Sequence, residues 1–255
     1  MDDALKNIKD AEAMLLNVGT LLMSSGASTG RVRTTVNRIA DALGYNVELL
    51  ITNRSLMLKV IDEEADHFIA SLKRTSPHGV NFRVVSGISK MSWKVVEENW
   101  SVPQINVEIA RLVALPHYPR LILLSAVAMA GSSFCALFGG KGVELVVAFV
   151  ATFVGLFVRQ ESYKKRFNPY VTIFFASLAA SLLSGLSVKL GIGSSPDLAF
   201  ATSVLFLVPG VPLINSFTDM IDGNILNGIV RGIHGLIIAL AIALGLLCAK
   251  FLFNI

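Results

Sequence analysis

The chain has 255 residues, 53% hydrophobic and 16% charged, with a mean hydropathy of +0.64. A soluble domain carries about 25% charge, so this composition excludes a protein that is soluble throughout. The net charge of +4 lies mostly beside apolar segments and forms no clustered basic face, which argues against a nucleic-acid partner. The charge is also uneven. Residues 1–120 hold 14 Lys and Arg with 13 Asp and Glu, whereas residues 121–255 hold 8 and 5. The first half is charged like a soluble domain, and the second is membrane-like.

The N-terminus, MDDALKNIKD, is acidic and polar. It lacks the basic start and apolar core of a signal peptide, so the first half is expected to stay in the cytosol. Helices are expected over 5–24 and 29–43. In the second, Val32, Val36, Ile39 and Leu43 recur at helical spacing, Ser28 or Thr29 can cap its start, and Gly44 can end it. SSGAS between them is a breaker. The period then drops to two: YNVELLIT, SLMLKVI, HFIASLKR and VNFRVVS read as strands, with NR and DEEAD as turns. After Gly87 the helical period returns through ISKMSWKVVEENW and VPQINVEIARLVAL. The expected result is an α+β domain over 1–118, a small antiparallel sheet with helices on one side.

This half shows no catalytic constellation. His67, His78 and His117 are scattered, and there is no phosphate loop and no HExxH. Ser24-Ser25-Gly26 lacks the glycine spacing and the strand–turn–helix setting of a nucleophile elbow. Arg31 and Arg33 lie near a helix start, where a solvated face is a better reading than an anion site. LPHYPR, residues 115–120, makes a stiff entry to the membrane, with Arg120 as a headgroup anchor.

A spanning helix needs about 20 largely apolar residues. Five segments of 119–255 qualify or nearly qualify: 120–139, 143–158, 170–190, 198–218 and 229–253. Cys135 and Cys248 sit in apolar stretches and suggest neither a disulfide nor a zinc site, and nothing calls for a metal or cofactor. Glu144, near the end of its span, is expected to snorkel to the surface. RQESYKKRFNP between spans two and three carries Arg159, Lys164, Lys165 and Arg166, while GIGSSPD between spans three and four has no Lys or Arg. The positive-inside rule then puts the N-terminus in the cytosol, and five spans leave the C-terminus outside. Span three carries small residues at helical spacing: Ser177, Ser181 and Gly185, beside Ala176, Ala180 and Ser184. These suit close helix packing.

Span four contains VLFLVPGVPLINS, residues 204–216. Pro209 lacks an N–H and costs about 3 kcal/mol inside a helix. It also pushes Val208 out of the helical region. Gly210 permits unusual dihedrals, and Pro212 suits the first turn of a new helix. Two half-helices, 198–207 and 211–221, are therefore expected, joined by an unwound link. Opened backbone at membrane depth is tolerated only against protein or a wet cavity. A half-helix N-terminus there is a receptor for an anionic group, which favours a carboxylate ligand. A plain proline kink is the competing reading. Pro209, Gly210, Pro212, Asn215 and Ser216 are the candidate substrate residues. Asn215, Asp219 and Asp222 follow at i, i+4 and i+7. Asp219 is a candidate for coupling if it lies within the bilayer, and only a solvated helix end if it lies at the cytosolic edge. Arg231 and His234 open span five. Arg231 can pair with Asp219 or Asp222, hold a substrate carboxylate, or anchor the helix at the interface. His234 can carry a proton. Asp219, Asp222, Arg231 and His234 form the coupling or gating set.

The stretch ATSVLFLVPGVPLINSFTDMIDGNILNGIVRG resembles the signature of the threonine/serine exporter family. LLMSSGASTGRVRTTVNRIADALG resembles the start of that family's cytosolic domain, and LPHYPR and NPYVTIFFASLAASLLSGL match its middle. The resemblance covers nearly the whole chain. It implies a polytopic α-helical membrane protein of the inner (plasma) membrane of a prokaryote, with five transmembrane helices and span four broken. Within the family the chain looks like the short half-transporter subunits, associated with succinate export, rather than the fused exporters of threonine and serine. The resemblance therefore implies a small carboxylate substrate and a separate five-span partner subunit. Two five-span modules fused in one chain would enter the bilayer in opposite senses, as an inverted repeat does. Self-association through the small-residue stripe is a further expectation. The alternatives are a hydrolase tethered to the membrane, and a regulatory domain on an anchor that does not transport.

Overall fold

The computed structural model describes residues 2–62, 67–76, 79–116 and 118–255. His78, His117 and most of the DEEAD turn lie outside them. The chain forms two compact units. One is Met1–Pro116 with Val211–Gly232, the other His117–Gly210 with Ile233–Ile255.

In the first unit, α1 (Asp2–Ser24) and α2 (Thr29–Ala42) precede three strands, β1 (Asn46–Ile51), β2 (Ser55–Asp62) and β3 (His67–Arg74). The strands form an antiparallel sheet in the order β1-β2-β3. Alternation decides the faces: Leu56, Leu58 and Val60 of β2 are fully buried, while Met57 between them is 41% exposed. Leu15, Leu22, Val36 and Ile39 complete that core from α1 and α2. Two helices follow, α3 (Phe82–Glu98) and α4 (Val102–Val113).

VNFRVVS is not a fourth strand. Asn81 caps α3 by accepting from Val84 N, and the helix runs on from Phe82. Val84, Val85, Ile88, Met91 and Val95 are buried along it. That spacing of three and four already begins inside VNFRVVS, and burial against α2 and α4 gives it more apolar contact than an edge strand would. The α4 start carries a capping box, in which Gln104 Oε1 accepts from Ser101 N at 2.8 Å.

In the second unit lie α5 (Arg120–Leu137), α6 (Val143–Lys164), α7 (Pro169–Lys189) and α8 (Pro196–Thr202), then a 3-10 turn at Leu205–Leu207. Helix α9 (Gly210–Ile221) begins at the boundary, and α10 (Ile225–Phe253) gives its first two turns to the first unit and the rest to the second. Among the described residues, α5, α6, α7 and α10 are long and apolar enough to cross a membrane, and the broken pair Pro196–Leu207 and Gly210–Ile221 raises the number to five if it counts as one span.

The small-residue stripe of α7 is packed inside this unit. Ala176, Ser177, Ala180, Ser181 and Ser184 are all fully buried. Gly155 of α6 faces it, and an added Cβ there would lie 2.9 Å from Ala180 Cβ and 3.0 Å from Ala176 O. Gly155→Val is therefore expected to overpack the contact and destabilise the unit by about 1–3 kcal/mol. Thermal unfolding of the purified protein in detergent reads this. An unchanged midpoint would show that α6 and α7 can separate freely.

Glu144 does not snorkel. It is 2% exposed in the first turn of α6. One carboxylate oxygen accepts from Ser195 N at 2.8 Å and the other from Lys141 N at 3.3 Å. The reason is local: the 139–142 turn and the 191–195 loop both offer unpaired backbone N–H groups, and a carboxylate satisfies them.

Candidate functional site

Helix α2 starts from the SSGAS breaker. Gly26 has φ +91°, and a Cβ there would come 3.1 Å from Gly79 O, so the turn needs glycine. Ser28 caps α2, its hydroxyl accepting from Arg31 N at 3.4 Å. The first helical N–H, on Thr29, has no partner within the helix, as at every helix start.

Asp219 fills that position from α9. Its carboxylate accepts from Thr29 N at 2.8 Å and from Thr29 Oγ1 at 3.0 Å. Arg231 Nη1 lies 3.1 Å from the same carboxylate, and Arg231 Nη2 donates to Ala27 O at 3.1 Å. Asp219 is fully buried. A charged group in that setting loses several kcal/mol of hydration, and it persists only when paired and hydrogen-bonded. Both conditions are met here, and the positive end of the α2 dipole adds to them.

Two amides join the site from the later segments. Asn215 Nδ2 donates to Gly26 O at 2.8 Å, and Asn227 Nδ2 donates to Thr29 Oγ1 at 3.4 Å and to Ile51 O, at the end of β1, at 2.9 Å. Asp222 follows the end of α9 and is exposed. Its Oδ2 sits where a Cβ on Gly30 would be 2.8 Å away, so it faces the first turn of α2 too. The cluster thus clamps residues 26–29 with Asn215, Asp219 and Arg231, all within the first unit.

The remaining candidates fall elsewhere. Ser216 Oγ donates to Gly228 O at 2.6 Å and is buried between α9 and the start of α10. Gly228 allows this approach, since a Cβ there would be 2.8 Å from Ser216 O. His234 Nδ1 shares a hydrogen bond with the Tyr170 hydroxyl in the second unit. The break is wider than the expected Pro-Gly link: α8 ends at Thr202, a 3-10 turn covers Leu205–Leu207, Val208 is extended at φ −56°, ψ 127°, and α9 starts at Gly210, so the first half is not one helix through residue 207. Gly210 has no left-handed φ, so its special dihedral freedom is not used. An added Cβ on it meets no described atom within 4 Å.

Thr29, Gly26 and Asn227 were missed by sequence reasoning. Thr29 was visible only as a possible cap. Nothing local marks which distant carboxylate will take its N–H. Arg31 and Arg33, the basic residues near that helix start, are exposed, and the backbone does the anion binding. Among the described residues no group of His, Cys, Asp and Glu is arranged to hold a metal.

The fold and site define a helical membrane protein with a buried carboxylate clamp beside a broken apolar segment. The threonine/serine exporter family model matches residues 13–252, and the chain belongs to that family. It is 28% identical over 236 residues to a protein of Klebsiella aerogenes named as a probable succinate transporter subunit, YjjP, covering 92% of this chain and 90% of that one. The YjjP of Escherichia coli K12 is 27% identical over 92% of each chain. A threonine/serine exporter of Corynebacterium glutamicum is 24% identical over 81% of this chain but only 44% of its own length. These relatives are named as transporters or exporters and not as enzymes. No solved structure matches. The two stretches that carry the resemblance, SSGASTG and VPGVPLINS with its continuation, are the two sides of the clamp.

Proposed function

We propose that this chain is one subunit of a secondary exporter of small carboxylates, succinate or threonine and serine, in the inner membrane of a prokaryote. Residues 1–118 form its cytosolic domain and 119–255 its five spans, with the N-terminus inside and the C-terminus outside. The packing of Val211–Gly232 with the N-terminal unit supports putting the FTDMIDGN turn on the side of that domain. The break at Pro209 and the first turn of α9, with Gly210 and Pro212, receive the substrate carboxylate, with Asn215 and Ser216 behind them. Asp219, Asp222, Arg231 and His234 couple that event to the driving gradient.

The observation that carries this reading is the buried Asp219–Arg231–Thr29 clamp. It links the segment just after the break to the start of α2, so a shift of α9 must either break three interactions or move α2 with it. A link of that kind is what transport needs if substrate and coupling ion are to bias the same movement of α9. A separate five-span partner is supported by the word "subunit" in the relatives' names and by the fused exporter's greater length.

The test is export from cells lacking the native system, with this chain alone and with a five-span partner. Export is expected only with both. Equal export by this chain alone would refute the two-subunit reading, and no export of any small carboxylate with both would refute the transporter reading.

A further inference from the structure

The fold leaves one edge of the first unit open, on a strand that the clamp does not use. β3 is the last strand of the sheet, and no strand among the described residues pairs with its outer edge. Thr75 N donates to Arg54 O at 2.9 Å, toward β2. In an antiparallel strand the N–H and C=O of one residue point to the same side, and the side alternates along the chain. The odd positions of β3 therefore bond to β2, and the N–H and C=O groups of Phe68, Ala70 and Leu72 face the open edge. Such edges are usually blunted by proline, a bulge or central charges. β3 has no proline, its register with β2 is unbroken from His67 to Arg74, and Lys73 and Arg74 stand only at its end. The other edge strand, β1, is shorter, and Ile51 O at its end already accepts from Asn227 Nδ2.

The solvent face of the sheet is ordered in rows by the same register. Leu50, Met57 and Leu72 form one row, with Leu50 61% and Leu72 60% exposed. Glu48, Lys59 and Ala70 form the next, and there Lys59 Nζ lies 3.4 Å from Glu48 Oε2. Asn46, Ile61 and Phe68 form the third, with Phe68 67% exposed. The charges of the middle row thus neutralise each other, and large apolar side chains stand exposed on both sides of it.

We propose that β3 pairs with β3 of a second copy of this chain, antiparallel about a two-fold axis at Ala70, so that the two three-stranded sheets become one. Ala70 then lies opposite Ala70, and Phe68 of each copy opposite Leu72 of the other. All the edge N–H and C=O groups of Phe68, Ala70 and Leu72 are exchanged between the copies. Opposite residues must share a face, so the axis has to fall on a residue and not between two. An axis at Ile69 sets Phe68 against Ala70, and one at Ser71 sets Leu72 against Ala70, so an apolar row would run into the charged one. An axis further along leaves much of the strand unpaired. At Ala70 the rows match. The row of Leu50, Met57 and Leu72 in one copy continues into Phe68 and Ile61 of the other, and the two alanines meet between two neutral ion pairs. A two-fold contact needs a surface that is complementary to itself, and this match selects a second copy over a different protein. The small-residue stripe of α7 is packed inside its own unit and does not serve this purpose.

The test uses the full chain in detergent, with Cys135 and Cys248 both replaced by alanine. Sedimentation is expected to give twice the 27.4 kDa of one chain. Ala70→Cys should be joined into a dimer by a short bifunctional methanethiosulfonate. Glu48→Cys, exposed in the same row at the far edge of the sheet, should not. Ala70→Pro should raise the dimer dissociation constant about tenfold, since it removes the hydrogen bonds at the axis. The monomer should stay folded by circular dichroism, because proline is accepted at an edge where the N–H faces solvent. Leu72→Lys, at an exposed position, should weaken the dimer as well. A monomer at every concentration, equal crosslinking of the two cysteine variants, or a dimer indifferent to both Ala70→Pro and Leu72→Lys overturns the proposal. Slow hydrogen exchange at residues 68–72 that needs a five-span partner assigns the edge to that partner and overturns it equally.

Discussion

Asp219→Ala is expected to abolish export and to destabilise the first unit by about 3–5 kcal/mol, because it leaves Arg231 buried without its counter-charge. Loss of export in that variant alone could come from misfolding. The double variant Asp219→Leu/Arg231→Met separates the two effects. Removing both charges together is often neutral for stability, so most of the lost stability should return. Export should not return, because the proposed coupling group is gone. Thermal unfolding and a transport assay on the same preparations read both quantities. Export recovered along with stability would reduce the pair to a structural role. Asp219→Asn adds a third reading: its amide oxygen can still accept from Thr29 N. Net export is expected to fall while exchange of labelled substrate across the membrane persists, as for a carrier that binds substrate but no longer couples.

Gly210→Leu is expected to cut export by about 100-fold, the scale on which a small misplacement at a working site is felt, with normal insertion into the membrane. Gly210→Ala should stay within about twofold of the parent. The asymmetry follows from the structure. Alanine adds one Cβ, which meets no described atom within 4 Å and needs no left-handed backbone. Leucine carries three more carbons into the space at the start of α9, where the substrate carboxylate is proposed to sit. Equal activity of the two variants would make the Pro-Gly break a bend and nothing more. Loss of both would mean that the backbone at Gly210 must change conformation during transport.

The apolar runs and the break were legible because both are local. A span is a length of apolar residues, and a proline breaks a helix wherever it falls. The helix start at Thr29 and the three strands were legible for the same reason, from spacing and caps. VNFRVVS was misread because a short apolar run fits either period. Only the burial of Val84 and Val85 beside Ile88 settles which one wins. Glu144 was misread because its partners, Lys141 N and Ser195 N, are backbone groups that carry no sequence signal.

The ion pair of Asp219 with Arg231 was one of several pairings open in the sequence. Its other half was not on view at all: Thr29 is 190 residues away along the chain. A residue's type states how many hydrogen bonds it can make, and a helix start states that N–H groups stand unpaired. Which carboxylate arrives there depends on how the chain returns. So the sequence by itself determined the membrane-spanning character, the place of the break and the family. The tertiary structure alone decided that the segment after the break is locked to the start of α2, because a buried charge is stable only where the fold brings its partners within hydrogen-bond reach.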